Sequence, residues 1–106
     1  MQKKVKLIND NFRQTLNGGS IMLTSGIRAL PQNDITQILF LVQNFNDFTP
    51  ENDPYKEHDF GKIIYHGLII FWKIDYYDEY FLYQSIDPTN EQITNRVLTI
   101  MLAEEY

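Results

Sequence analysis

Apolar residues recur at helical spacing at Val5, Ile8, Phe12 and Leu16, and Asn17-Gly18-Gly19 then interrupts the pattern. A first helix over about 4–16 follows from that period and its stop signal. Residues 20–24 (Ser-Ile-Met-Leu-Thr) are short, apolar and bounded by glycines, which suits a buried strand. Ser25-Gly26-Ile27 turns the chain. Pro31 suits a first helical turn, Asp34 lies where the helix dipole favours an anion, and Ile35, Ile38, Leu39, Val42 and Phe45 mark a second stripe over about 32–45. Pro50 and Pro54 make residues 46–57 a loop, long for so small a domain.

The period then changes to two. Residues 60–65 and 68–77 flank His66-Gly67, a two-residue hairpin turn. Counting across it pairs Tyr65 with Leu68, Ile63 with Ile70, Gly61 with Trp72 and Asp59 with Ile74 on one face. The other face pairs Ile64 with Ile69, Lys62 with Phe71, Phe60 with Lys73, and His58 with Asp75. Residues 94–103 close the chain as a strand rich in Val, Thr and Ile. The expected fold is α+β: one domain over 1–106, order α-β-α-β-β-β, with two helices on one face of a mainly antiparallel sheet of about four strands. The glycine at 61 leaves room for the Trp72 indole, which belongs in the core.

Composition narrows the function classes. The chain has no cysteine, which excludes disulfides and thiolate chemistry and fits a reducing cytoplasm. No apolar run approaches the roughly 18 residues of a membrane span, so no membrane association is expected. The basic start, Met1 to Lys6, leads into an amphipathic polar segment instead of a signal-peptide apolar region, and Lys3, Lys4 and Lys6 read as a solvated helix start. Net charge is −5. It divides unevenly: residues 1–46 carry five basic and two acidic side chains, residues 47–106 four basic and twelve acidic. Such a C-terminal part repels phosphate, so direct nucleic-acid binding is not expected; the acidic face is either a solvated surface that keeps the chain soluble or a surface for a basic protein partner.

Candidate chemistry gathers between Asn52 and Tyr80. His58 across from Asp75 either holds the long loop against the end of the sheet or orients an imidazole as a general base with Glu57 nearby, and these three are the catalytic candidates. A nucleophile is missing, because no Gly-x-Ser-x-Gly elbow occurs and Ser20, Ser25 and Ser85 have no distinguishing context. Asp53, Glu57, His58, Asp59 and Asp75 offer oxygen and imidazole ligands, but neighbours on a strand diverge, so no metal and no cofactor is expected. Asn17-Gly18-Gly19-Ser20 has the wrong helix–strand order for a phosphate loop. Asn52-Asp53-Pro54 suits an Asx turn. The binding candidates are Asp53, Asp59, Lys73, Tyr76, Tyr77, Asp78 and Tyr80. In the run Tyr76, Tyr77, Tyr80, Phe81 and Tyr83, alternate members are expected to enter the core and the rest to form a sticky edge.

Asn52-Asp53-Pro54, Glu57-His58-Asp59-Phe60-Gly61, Trp72-Lys73-Ile74-Asp75-Tyr76-Tyr77-Asp78 and the closing Arg96-Val97-Leu98-Thr99-Ile100-Met101-Leu102-Ala103-Glu104-Glu105-Tyr106 occur in that order. Together they resemble the domain-of-unknown-function family numbered 3768 over nearly the whole chain. That resemblance implies a small bacterial protein often encoded on plasmids and other mobile elements, with no established reaction, cofactor or catalytic residue. The chain departs from the pattern at Lys56, where a smaller residue or glycine is expected, and this bears on the loop conformation. Two function classes stand side by side: a mobile-element protein-binding module, in its sharper form a counter-defence protein or nucleic-acid mimic, and a small hydrolase-like or metal-binding enzyme using His58 and Asp75. Enzymatic activity and oligomeric state are left open.

Overall fold

In the computed structural model, which describes residues 2–106, the order is α1 (Gln2–Thr15), β1 (Gly19–Leu23), α2 (Ser25–Arg28), α3 (Gln32–Gln43), β2 (Phe60–Tyr65), β3 (Leu68–Tyr77) and β4 (Asn95–Leu102), then a 3-10 turn at Ala103–Glu105. Lys4 is exposed and Lys6 half-buried, while Met1 and the side chains of Gln2 and Lys3 lie outside the described residues. The four strands form one sheet in the order β1-β4-β3-β2. Two pairings are antiparallel, and β1 runs parallel to β4. The α+β class stands, with a mixed sheet. The parallel pair joins the two ends of the chain, and such a pairing needs the long crossover that α2, α3 and the hairpin supply.

The hairpin has the register obtained by counting: Tyr65 opposite Leu68, Ile63 opposite Ile70, Gly61 opposite Trp72. His66 and Gly67 both have positive φ, 47° and 83°, the geometry of a type I′ turn that matches strand twist. A Cβ at Gly61 would overlap the Trp72 indole and the Phe45 ring, so the glycine is required by packing. Trp72 is fully buried, as expected.

Both long helices cover the same side of the sheet. Phe12, Ile35, Ile38 and Val42 pack against Trp72, Ile74, Leu98 and Ile100. Burying these eight side chains at roughly 2 kcal/mol each supplies most of the drive for this two-layer arrangement. The Ser25-Gly26-Ile27 turn is in fact the one-turn helix α2, whose Ile27 is buried and whose Gly26 N–H donates to the Glu105 carboxylate at 2.9 Å. Helix α3 stops at Gln43, two residues earlier than the stripe suggests, because Phe45 leaves the helical path to meet Trp72 edge-on at 5.4 Å. No described helix is long and apolar enough to cross a membrane.

Candidate functional site

The loop between α3 and β2 is held by its own side chains. The Asn52 side-chain oxygen accepts the Thr49 N–H at 2.9 Å, and Asp53 Oδ1 accepts the N–H groups of Glu57 and His58 at 3.0 and 3.1 Å. Lys56 and His58 both adopt left-handed backbone, φ 56° and 55°. That is the conformation in which glycine is at ease. These two kinks end the extended geometry at Phe60, so the strand does not continue back to His58.

The consequence corrects the pairing counted from the sequence. His58 faces α1 instead of Asp75. Its ring stacks on Phe48 at 3.7 Å, with Nδ1 2.8 Å from Asp10 Oδ1 and Nε2 3.5 Å from Asp53 Oδ2. Asp75 lies on the opposite side of the sheet and pairs with Lys73 at 3.0 Å, a contact that raises the Lys73 pKa. The three catalytic candidates therefore divide: Glu57 and His58 under α1, Asp75 on the helix-free face.

A buried polar network joins α1 to the sheet. Asn9 is fully buried and donates from Nδ2 to the Glu57 carbonyl at 3.0 Å and to Tyr76 Oη at 2.7 Å. Its Oδ1 accepts from Arg96 Nε at 2.8 Å. Tyr76 in turn donates to Glu57 Oε1 at 2.7 Å, and burial is the first cause that pushes its phenol pKa up. The Arg96 guanidinium lies 5.0 Å over the Tyr76 ring and donates to the Pro88 carbonyl, while burial lowers its pKa. One turn along α1, Arg13 bridges Asp10 and the Phe45 carbonyl and sits 5.2 Å over the Trp72 ring. Glu57 and Tyr76 are thus satisfied structural groups. Asn9, Asp10, Arg13 and Arg96 escaped the sequence reading, although Asn9 and Arg13 sit one and two turns after buried Val5, a spacing that places polar groups on an apolar stripe.

Beyond the end of β3, a cleft of about 330 Å³ is lined by Asp59, Asp75, Tyr76, Tyr77, Leu82 and Tyr83, among others. Burial first, then the Glu57 charge, pushes the Asp59 carboxyl up to about 6, against a lowering backbone hydrogen bond and with smaller contributions from Asp53 and Asp75. Four of the named candidates, Asp59, Asp75, Tyr76 and Tyr77, meet here, with Lys73 beside Asp75. Among the described residues no group of three or more His, Asp or Glu side chains is placed to hold a metal ion.

The chain then makes a tight turn organised by Asp78. Its Oδ1 accepts the N–H groups of Tyr80 and Leu82 at 3.1 and 3.0 Å, its carbonyl accepts from Phe81, and its own N–H donates to the Tyr83 carbonyl at 2.7 Å. Those backbone donors, Leu82 foremost, hold the Asp78 pKa down. Phe81 is left-handed, φ 58°. The expected alternation between core and edge does not occur, because this turn breaks the two-residue period after Tyr77. Instead Tyr80, Phe81, Leu82, Tyr83 and Ile86 are all between 52% and 92% exposed. Tyr80, Tyr83, Ile86 and Ile93 wall a cleft of about 520 Å³ with Asp78 and Glu79 at its edge.

No curated protein and no solved structure matches the chain. The family described as "Protein of unknown function (DUF3768)" matches residues 23–105, which span β2, β3 and β4, the His58 loop and the Asp78 turn but not α1 or β1 before Leu23, and the chain belongs to that family.

Proposed function

We propose that the protein is a binding module that docks a basic protein partner on the turn centred at residues 78–86. One observation carries this reading: five large apolar or aromatic side chains stand exposed on a turn whose backbone is held by the Asp78 side chain. Exposed apolar groups of this size, grouped and rigid, mark interaction surfaces, and a pre-organised turn loses little entropy on binding. Tyr80 and Tyr83 are residue types that anchor interfaces. Asp78 and Glu79 beside them, in a segment of net charge −8 over 47–106, favour a partner that presents Lys or Arg around an apolar anchor. In this reading the protein is a bacterial mobile-element product, its partner a basic groove in a cytoplasmic host defence or replication enzyme, with imitation of nucleic acid as the sharper form.

The test is retention of host proteins from bacterial lysate on immobilised wild type and on Tyr80→Ser/Tyr83→Ser/Ile86→Ser, three positions exposed enough to change without disturbing the core. Expected is a partner that is eluted by salt, displaced by DNA, and lost with the variant. Equal retention by the two proteins overturns the proposal. A second reading, a small hydrolase-like enzyme, draws on the half-buried Asp59 in its cleft, since perturbed carboxyls in clefts are candidate acids and bases. A hydrolase screen in which Asp59→Asn retains every activity of the wild type would remove it.

A further inference from the structure

The helices cover one face of the sheet and leave the other bare. On the bare face, register places Met22 of β1, Val97, Thr99 and Met101 of β4, Lys73 and Asp75 of β3, and Ile64 of β2. Met22 and Ile64 are more than half exposed. Strand β4 carries apolar side chains toward both sides, Leu98 and Ile100 toward the helices, Val97 and Met101 away from them, the latter two only 8% and 3% exposed at the floor of the face. A strand patterned in that way is ordinarily covered on both faces. Over β1 and β4 runs a groove of about 750 Å³ with Met22, Val97, Thr99 and Met101 in its lining. Aromatic pairs rise beside it, Tyr77 with Phe81 at 6.1 Å and Phe71 with Tyr106 at 5.6 Å, and Phe71 and Tyr77 lie six residues apart on β3.

We infer that this face is a homodimer interface, in which a second copy of the chain stacks sheet on sheet about a two-fold axis. Three observations select a second copy. The first is charge. The chain is −5 overall, yet this face is balanced: Asp75, paired with Lys73 at 3.0 Å, and Glu105 at the groove stand against Lys73 and Lys62. With those charges balanced, the face escapes the repulsion that two acidic chains meet elsewhere, and it offers a basic partner no net negative charge. The second is shape: the face carries both ridges, the aromatic pairs, and a groove, so one two-fold axis lets each copy fill the other. The third is area. Four strands of 5, 6, 10 and 8 residues, at about 4.8 Å spacing and about 3.3 Å per residue, cover roughly 450 Å² per copy before side-chain relief is added. Two copies then bury about 900 Å² of flat sheet, which side-chain relief brings to the roughly 1,000 Å² that a specific interface must clear. The product is a four-layer α/β/β/α assembly with the sheets about 10 Å apart. Phe81 of the turn lines this groove, but the cleft walled by Tyr80, Tyr83 and Ile86 shares no lining residue with it.

Sedimentation equilibrium across the micromolar range tests the inference. Wild type should show twice the 12.6 kDa chain mass. Met22→Lys/Ile64→Lys, altered where side chains are exposed in the single chain, should sediment as a monomer with an unchanged circular dichroism spectrum. Tyr80→Ser/Tyr83→Ser/Ile86→Ser should remain a dimer, which separates this interface from the partner site. A wild type that stays monomeric overturns the inference, even where the bare face captures some other protein. So does a Met22→Lys/Ile64→Lys variant that stays dimeric, or a dimer lost with the three turn substitutions.

Discussion

Asn9→Ala should be among the most damaging polar substitutions available in this chain. The side chain is fully buried and makes three hydrogen bonds, one of them to a guanidinium. At about 1 kcal/mol for each neutral bond and about 2 for the charge-assisted one, the loss is about 4 kcal/mol. A domain of this size has a total stability of roughly 5–15 kcal/mol, so the variant should retain a fold but a fragile one. The melting temperature should fall by about 20 °C, taking about 5 °C per kcal/mol. Urea unfolding at neutral pH measures the loss, and a double-mutant cycle with Arg96→Met assigns its cause. Because Asn9 satisfies Arg96 Nε, the two substitutions should be non-additive by about 1 kcal/mol or more. A loss below about 1 kcal/mol, or strict additivity, would refute the view that this network ties α1 to the sheet.

Two further outcomes follow from the site geometry. Asp59 holds its proton to about pH 6 when folded, whereas the unfolded chain releases it near 3.8, so ionised Asp59 costs stability as pH rises between those values. Asp59→Asn should leave stability below pH 4 unchanged and raise it above pH 6 by about 1 kcal/mol, the full shift of two units being discounted because the carboxyl is partly solvated; a gain independent of pH in urea melts contradicts this. For His58, a double-mutant cycle with Asp10→Ala should show a coupling of about 0.5–1 kcal/mol, and the cycle with Asp75→Ala none; the reverse pattern restores the pairing across the hairpin.

Local rules carried much of the fold. His66-Gly67 set the hairpin register, Gly61 and Trp72 confirmed one another across it, and two helical stripes located α1 and α3. Extrapolation failed where backbone geometry changed without a glycine or proline to mark it. Left-handed Lys56 and His58 turned the imidazole to α1, and left-handed Phe81 with the Asp78 bonds lifted a run of aromatics out of the core pattern. The parallel β1–β4 pair was beyond reach because its partners are more than 70 residues apart and no local signal joins them. Asn9 and Arg13 were legible in principle, as polar residues on a buried stripe, but their partners come from elements distant in sequence. Of the residues first singled out, Glu57, His58, Asp53 and Tyr76 serve the scaffold, while Asp78 and Tyr80 belong to the exposed turn.

The central claim is that recognition resides on the Asp78 turn and not on the histidine loop. Its most direct test is partner retention from lysate by three proteins compared at a temperature where all are folded: wild type, His58→Ala, and Tyr80→Ser/Tyr83→Ser/Ile86→Ser. The account predicts salt-sensitive retention of the same partner by wild type and His58→Ala, and its loss from the turn variant. Loss with His58→Ala and full retention by the turn variant would contradict it.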